Sequence, residues 1–527
     1  MRFLDNLDDL DMPDVVITPA NDGMLHAFAL EDDPTTDAAS GTIASSTEDG
    51  DEAGEELWAW VPGYVLYDEV GESWSGRIAD LMWYGRTFLF DGSPVVDDVW
   101  IDMDGDGAKD CEETDFPDNC EWRRVVVVSQ GKGGPVTLAL DITITDEPRF
   151  LWEQTNETDY SAMGHTVSTP VVTNIWDGDA SHDRWVAIWG SGRAVPLATD
   201  GDYYDSAEAA IYTWHLSADE LEVYADGQHT WPDYGSNGHP VGTDDPDGDG
   251  RYEYGYISGG IAVVDVDSDG DADTLYFPVT SSYEPADAGD PDGDGNSGVG
   301  DQADPGYTWM YKAVVQTDDS NSSATPSGAW PAYEWCEFID PDDYGKDRHE
   351  VYYKATTSWF SDGGLGVYWG TGSPYSRYDG QTGLFWAFKD ANPAVCGSSV
   401  TPICGSSGYY ELSEGEGITG EPLVYAGTVY FPTYDPDEDY CEGGQGRIYG
   451  LTFDECDGGI DTDADGASDA DSFDVEGYPS SITISKHGTL FYGTSNPDTT
   501  GLGAIGSYTG GADPFGGVEG VMIREVF

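Results

Sequence analysis

The stretch Val16–Leu30, VITPANDGMLHAFAL, decides the fold. An apolar, β-branched run stops at Asn21-Asp22-Gly23 and resumes as an alternating apolar and aromatic run. Gly accepts positive φ at little cost, and Asn and Asp bond their own backbone, so two such runs around this turn read as a β-hairpin. The unit recurs loosely as VVVSQGKGGPVTLALD (126–141), IWGSGRAVPLATDG (188–201) and VYWGTGSPYSRYDGQTGLFWAFKD (367–390). Further short runs closed by Gly, Asp, Asn or Pro lie between them, among them ELWAWVP, GIAVVDV, TWMYKAVV and RIYGLTF. Almost nothing has a helical period. Many short strands bounded by turn residues argue an all-β sandwich or propeller, and their number favours a β-propeller of about seven irregular blades. The spacing is uneven because acidic insertions interrupt it, at residues 31–55, 102–121, 236–253, 284–305 and 456–476. One main domain is expected over residues 14–527, after a short acidic lead-in at 1–13.

A second stretch carries chemistry. In IAVVDVDSDGDADTLYF (261–277), Asp265, Asp267, Asp269 and Asp273 fall at positions 1, 3, 5 and 9 of a tight loop, with Gly270 at position 6. Alternate carboxylates of a turning loop point inward, and Asp271 can add its backbone carbonyl. Calcium, a hard cation, takes six to eight oxygen ligands, so this spacing predicts a calcium loop. The flanking apolar runs make it a strand–loop–strand site rather than a helix–loop–helix one. A second candidate is Asp102, Asp104, Asp106 and Asp110 with Glu113 at position 12, and a third is Asp461, Asp463, Asp465 and Asp469. Two further loops, Asp245/Asp247/Asp249/Glu253 and Asp290/Asp292/Asp294/Asp301, lack a strong strand leading in and read equally as soluble turns.

Composition narrows the partners. The chain carries 102 acidic against 20 basic residues in 527, for a net charge of −82. That excludes nucleic acid and anionic membrane surfaces as partners, since both need clustered Lys and Arg. Bound calcium could offset only a small part of the charge. The rest fits either a high-salt habitat, where screening tames self-repulsion, or a lineage of acidic secreted proteins. With 39% hydrophobic and 13% aromatic residues, the chain is nonetheless a folded protein and not an acidic disordered tract.

The seven cysteines read as three near pairs, Cys111/Cys120, Cys396/Cys404 and Cys441/Cys456, with Cys336 left over. No C-x-x-C or zinc spacing occurs, so loop-stapling disulfides in an oxidising compartment fit best. The start, MRFLDNLDDLDMPD, is not a signal peptide, and no apolar run is long enough to span a membrane. The chain therefore reads as a C-terminal piece of a longer exported protein.

Taken in order, the units resemble the C-terminal β-propeller of the PilY1/PilC family of type IV pilus tip-associated proteins. The resemblance rests on Asn21–Phe28 (NDGMLHAF), Glu56–Pro62, Asp91–Pro94 (DGSP), Gly131–Asp141 (GKGGPVTLALD), Leu151–Glu153 and Met163–Pro170 (MGHTVSTP). It continues through Gly370–Gly372, Val429–Tyr434 and Cys441–Gly444, spanning roughly residues 14 to 500. It implies calcium at Asp265, Asp267, Asp269, Asp271 (carbonyl) and Asp273. It further implies a pilus biogenesis and adhesion factor that opposes retraction when calcium-loaded and supports surface attachment and twitching motility. The implied partners are minor pilins or the pilus tip and a host or abiotic surface, at an extracellular or cell-surface location. Two features depart from the family. An acidic insert at 284–305 follows the calcium loop, and no Arg-Gly-Asp is present, so integrin binding does not carry over.

Enzyme readings fare poorly. His26 and His165 read as packing histidines, and neither H-E-x-x-H nor G-x-S-x-G occurs. The competing non-enzymatic reading is a calcium-stabilised secreted propeller that binds carbohydrate or a surface without any pilus role. Unequal spacing of the acidic loops favours the pilus reading over a regular calcium-repeat propeller.

Overall fold

A computed structural model describes residues 14–30, 54–66, 88–101, 121–155, 163–176, 183–192, 210–216, 228–230, 255–257, 259–281, 307–315, 333–346, 349–372, 382–436, 444–460, 470–485, 489–494 and 504–509. Among these the only α-helical turn is Gly63–Leu66, and the strands form seven sheets. No helix of the described residues is long and apolar enough to cross a membrane.

The fold divides into two compact units. The first carries three sheets. Its opening sheet pairs Val15–Pro19, Leu25–Ala29 and Glu56–Trp60 in that order. Its second pairs Pro94–Trp100, Trp122–Ser129, Val136–Asp141 and Arg149–Thr155, and its third runs from Val171–Trp176 through Asp183–Gly190 and Ala210–His215 to Gln228–Thr230. Every one of these pairings is antiparallel and joins strands consecutive in sequence, whether a short turn or a long insertion connects them.

The second unit carries four sheets of the same kind. One pairs Thr274–Ser281, Tyr307–Val315 and Tyr333–Ile339, with Ala262–Val264 against the first of them. The next pairs Thr356–Trp359, Leu365–Gly370 and Thr382–Asp390, whose far edge takes both Val400–Pro402 and Tyr409–Glu414. The last two are built on Thr428–Asp435 with Gln445–Thr452 and on Thr489–Thr494 with Ala504–Thr509.

The hairpin turn expected at Asn21-Asp22-Gly23 forms, and the same turn recurs in the second unit. Gly23 N–H donates to the Ala20 carbonyl (3.0 Å) and Met24 N–H to Asp22 Oδ1 (3.0 Å). At Ser361-Asp362-Gly363, Gly363 N–H donates to the Phe360 carbonyl (3.0 Å) and Gly364 N–H to Asp362 Oδ1 (3.3 Å). Gly23 and Gly363 sit at φ 93° and 88°, a region closed to most side chains. In both hairpins the next leucine, Leu25 or Leu365, is fully buried.

Strand parity then builds the core. In Trp122–Ser129, Val125 and Val127 enter one hydrophobic cluster with Trp152, Trp189 and Tyr212, while Val126 and Val128 enter another with Leu25 and Phe90. In Thr382–Asp390, Leu384, Trp386 and Phe388 pack with Met310 and Phe338, and Phe385 and Ala387 pack with Phe431 and Tyr449. Successive side chains of a strand point to opposite faces, so each central sheet buries both faces against different neighbours. That explains why these strands read as continuous apolar runs rather than alternating ones.

The disulfides correct the sequence pairing. Cys336 joins Cys396, and Cys404 joins Cys456. Cys396 and Cys404 are close in sequence but lie on either side of the strand Val400–Pro402, and each bonds a different adjacent sheet. Cys336 is not left over, and Cys456 does not pair with Cys441. Cys111, Cys120 and Cys441 lie outside the described residues.

Candidate metal centre

The loop 265–273 closes a β-hairpin. Ala262–Val264 pairs with Thr274–Tyr276, putting Val264 opposite Thr274. Asp273 N–H donates to the Val264 carbonyl (3.0 Å), and Val266 N–H donates to Asp273 Oδ2 (2.7 Å), so the last carboxylate braces the loop entry. Asp271 N–H donates to Asp269 Oδ1 (3.0 Å). Ser268 and Gly270 both take positive φ, at 66° and 104°. This left-handed kink turns the chain sharply enough to bring alternate side chains together.

The outcome is a carboxylate cluster. One oxygen each from Asp265, Asp267 and Asp269 lie within 4.8 Å of one another, with Asp265 half-buried and the other two exposed. Three hard, anionic oxygen donors this close suit a hard divalent cation and no soft one. The strand–loop–strand context anticipated from sequence is present. Asp273 holds the loop through Val266, and Asp271 sits half-buried beside Asp269. The candidate loops at Asp102–Glu113, Asp245–Glu253, Asp290–Asp301 and Asp461–Asp469 lie outside the described residues.

Sequence reading missed what stands behind this loop. The exit strand Thr274–Ser281 and its partner Tyr307–Val315 converge on Asp390, which is fully buried. Tyr276 OH donates to Asp390 Oδ2 (2.8 Å), and Lys312 Nζ donates to the same oxygen (2.7 Å) and to the carbonyls of Asn392 (3.1 Å) and Val395 (2.8 Å). Asn392 N–H (2.9 Å) and the Ser398 hydroxyl donate to Asp390 Oδ1. Thr274, the residue after Asp273, donates its hydroxyl to the Pro393 carbonyl (2.9 Å). Burial, helped by the Asp390 charge, raises the Tyr276 phenol far above its ordinary value. Burial also draws the Lys312 ammonium down, and Asp390 opposes it. The signal was available: Lys312 is a lone cation inside the apolar run TWMYKAVV.

No protein-family model matches the chain. A PilY1 homologue of Xylella fastidiosa, named a type IV pilus biogenesis factor, is 27% identical over 265 residues, or 50% of this chain. The type IV pilus biogenesis factor PilY1 of Pseudomonas aeruginosa is 28% identical over 180 residues, or 34% of this chain. Among solved structures, the C-terminal domain of Pseudomonas aeruginosa PilY1 superposes with a TM-score of 0.53 at 16% identity, covering 93% of this chain and 92% of that one. The chain is similar to PilY1. Its fold is that of the PilY1 C-terminal domain, an all-β propeller, as the hairpin units implied. The matched stretches make up only 13% and 11% of the length of those PilY1 relatives, so most of a PilY1 protein lies outside the region compared.

Proposed function

We propose that this chain is the calcium-binding propeller of a type IV pilus biogenesis and adhesion factor, exported to the cell surface or pilus tip. The observation that carries the reading is the carboxylate cluster of Asp265, Asp267 and Asp269, set in a hairpin of a propeller related to PilY1. Asp265, Asp267, Asp269 and Asp273 would hold the ion, with the Asp271 carbonyl as a further donor. The ion supplies positive charge that offsets carboxylate repulsion. The chain's own residues do the rest: the kink at Ser268 and Gly270 gathers the carboxylates, and Asp273 ties the loop to Val266. The ordered loop would then favour pilus extension over retraction, through minor pilins or the pilus tip, and so support attachment and twitching.

Calorimetric titration of calcium into the whole chain tests this, alongside the double variant Asp267→Asn/Asp269→Asn. Both side chains are exposed, and Asn at 269 keeps an oxygen for the Asp271 N–H, so folding should persist. The expected result is loss of one tight site, and cells making the variant should lose surface pili only while the retraction motor is present. Unchanged binding would move calcium away from this loop. Lost binding with normal piliation would leave a calcium-stabilised surface module without a pilus role.

A further inference from the structure

The loop 265–273 leaves through a strand that is fastened from behind. Thr274, the residue after Asp273, donates its hydroxyl to the Pro393 carbonyl (2.9 Å), and Tyr276 OH donates to Asp390 (2.8 Å). The carbonyl of Asp273 accepts from the Val315 N–H (2.8 Å), at the end of the strand that carries Lys312. Lys312 lies opposite Tyr276 on one neighbouring strand and opposite Cys336 on the other. Its Nζ reaches Asp390 and the carbonyls of Asn392 and Val395. The exit strand and its partner are thus both tied to the segment 390–395.

Packing does little to hold that segment. Ala391, Asn392, Ala394, Val395 and Gly397 face solvent, and Pro393 is buried. Its covalent fastening is the disulfide from Cys396 to Cys336, which joins the residue after Val395 to the residue opposite Lys312. Cys336 and Cys396 are both half-buried, whereas Cys404 and Cys456 are buried. Thiol–disulfide exchange requires access for the attacking thiolate, so of these two bridges a reductant opens Cys336–Cys396 first.

We propose that the Cys336–Cys396 disulfide is linked to the calcium loop, so that opening the bridge lowers calcium affinity and bound calcium resists the opening. This rests on the calcium reading of Asp265, Asp267, Asp269 and Asp273. With the bridge closed, the segment 390–395 keeps Thr274, Tyr276 and Lys312 in place, and the loop meets the ion with its exit already fixed. A binding loop ordered beforehand loses less conformational entropy on binding. A dithiol opens the bridge by exchange: it supplies two electrons and two protons, the Sγ–Sγ bond becomes two thiols, and the dithiol leaves as its own disulfide. The ion must then order a loop whose base has lost its covalent fastening. Linkage is reciprocal, so calcium disfavours reduction by the same factor.

Two measurements test this. In the first, calcium is titrated calorimetrically into the whole chain and into Cys336→Ser/Cys396→Ser, with Asp267→Asn/Asp269→Asn as the reference for the loop. Near-ultraviolet circular dichroism establishes that the serine variant is folded, and lower global stability alone leaves the affinity of a folded chain unchanged. In the second, the unmutated chain without calcium is treated with dithiothreitol. Alkylation and peptide mapping establish that Cys336 and Cys396 are freed while Cys404 and Cys456 stay bridged, and hydrogen exchange is followed in peptides covering 261–277 and 307–315. The expected result is an affinity lower by about fivefold or more in the serine variant, and faster exchange in both peptides after reduction. Unchanged affinity in the serine variant, or unchanged exchange, overturns the linkage and leaves the calcium reading standing. Calcium binding that survives Asp267→Asn/Asp269→Asn overturns the calcium reading, and the linkage with it, whatever the exchange shows.

Discussion

His26 shows how one side chain sets a pH dependence. Its Nδ1 lies 3.1 Å from Glu56 Oε1 and its Nε2 3.1 Å from Asp22 Oδ2. A neutral imidazole can donate from only one nitrogen, so two carboxylates facing both ring nitrogens call for the imidazolium. Burial alone would lower the His26 pKa, but hydrogen bonds to Glu56 and Asp22 outweigh it and raise the value above its ordinary one. A base whose folded pKa is raised contributes stability that is complete below its unfolded pKa, about 6.5 for histidine, and is lost as pH climbs through the folded value. His26→Gln should therefore cost more in mild acid than in mild alkali. Both carboxylates are about half exposed, which limits the difference to about 1 kcal/mol or less. Urea denaturation on either side of neutrality measures it, and an equal cost at both pH values would refute the pairing. The packing role read from sequence left these two carboxylates unseen, because Glu56 becomes a neighbour only when a third strand adds to the hairpin.

The two Asp-Gly hairpins allow backbone strain to be separated from crowding. An alanine Cβ at Gly363 would meet nothing within 4 Å, whereas one at Gly23 would lie 2.8 Å from Val65 Cγ1. Gly363→Ala should then cost only the penalty of a left-handed L-residue, about 1–2 kcal/mol. Gly23→Ala should cost measurably more, because Val65 is fully buried and has to shift. Equilibrium unfolding of the two variants compares them, and equal losses would show that backbone strain dominates at both. At this scale the turns and strands were legible, since an Asp-Gly pair between apolar runs carries its own geometry. The disulfides were not. Reasoning from nearness in sequence paired Cys396 with Cys404, but a sheet that buries both faces sends them to different neighbours. The buried Lys312–Asp390 pair was hidden for the same reason, as its partners are 78 residues apart.

For the molecule as a whole, the net charge of −82 and the cluster at Asp265, Asp267 and Asp269 make different demands on the same solvent. Diffuse repulsion among surface carboxylates is relieved by any salt, because screening depends on ionic strength alone. As the proposed calcium site, the carboxylate cluster within 4.8 Å would respond instead to the concentration of its own ligand. Binding to the folded state alone stabilises it by RT ln(1 + [L]/Kd), about 2.7 kcal/mol at a hundredfold excess over Kd. The melting temperature should consequently rise with sodium chloride and gain a further increment when calcium replaces sodium at constant ionic strength. In Asp267→Asn/Asp269→Asn the sodium response should remain while the calcium increment shrinks. Differential scanning calorimetry at matched ionic strength reads both. An identical rise from calcium and sodium in the parent chain would reduce the loop to one more patch of a screened acidic surface. A calcium increment retained by the variant would locate the ion elsewhere in the chain.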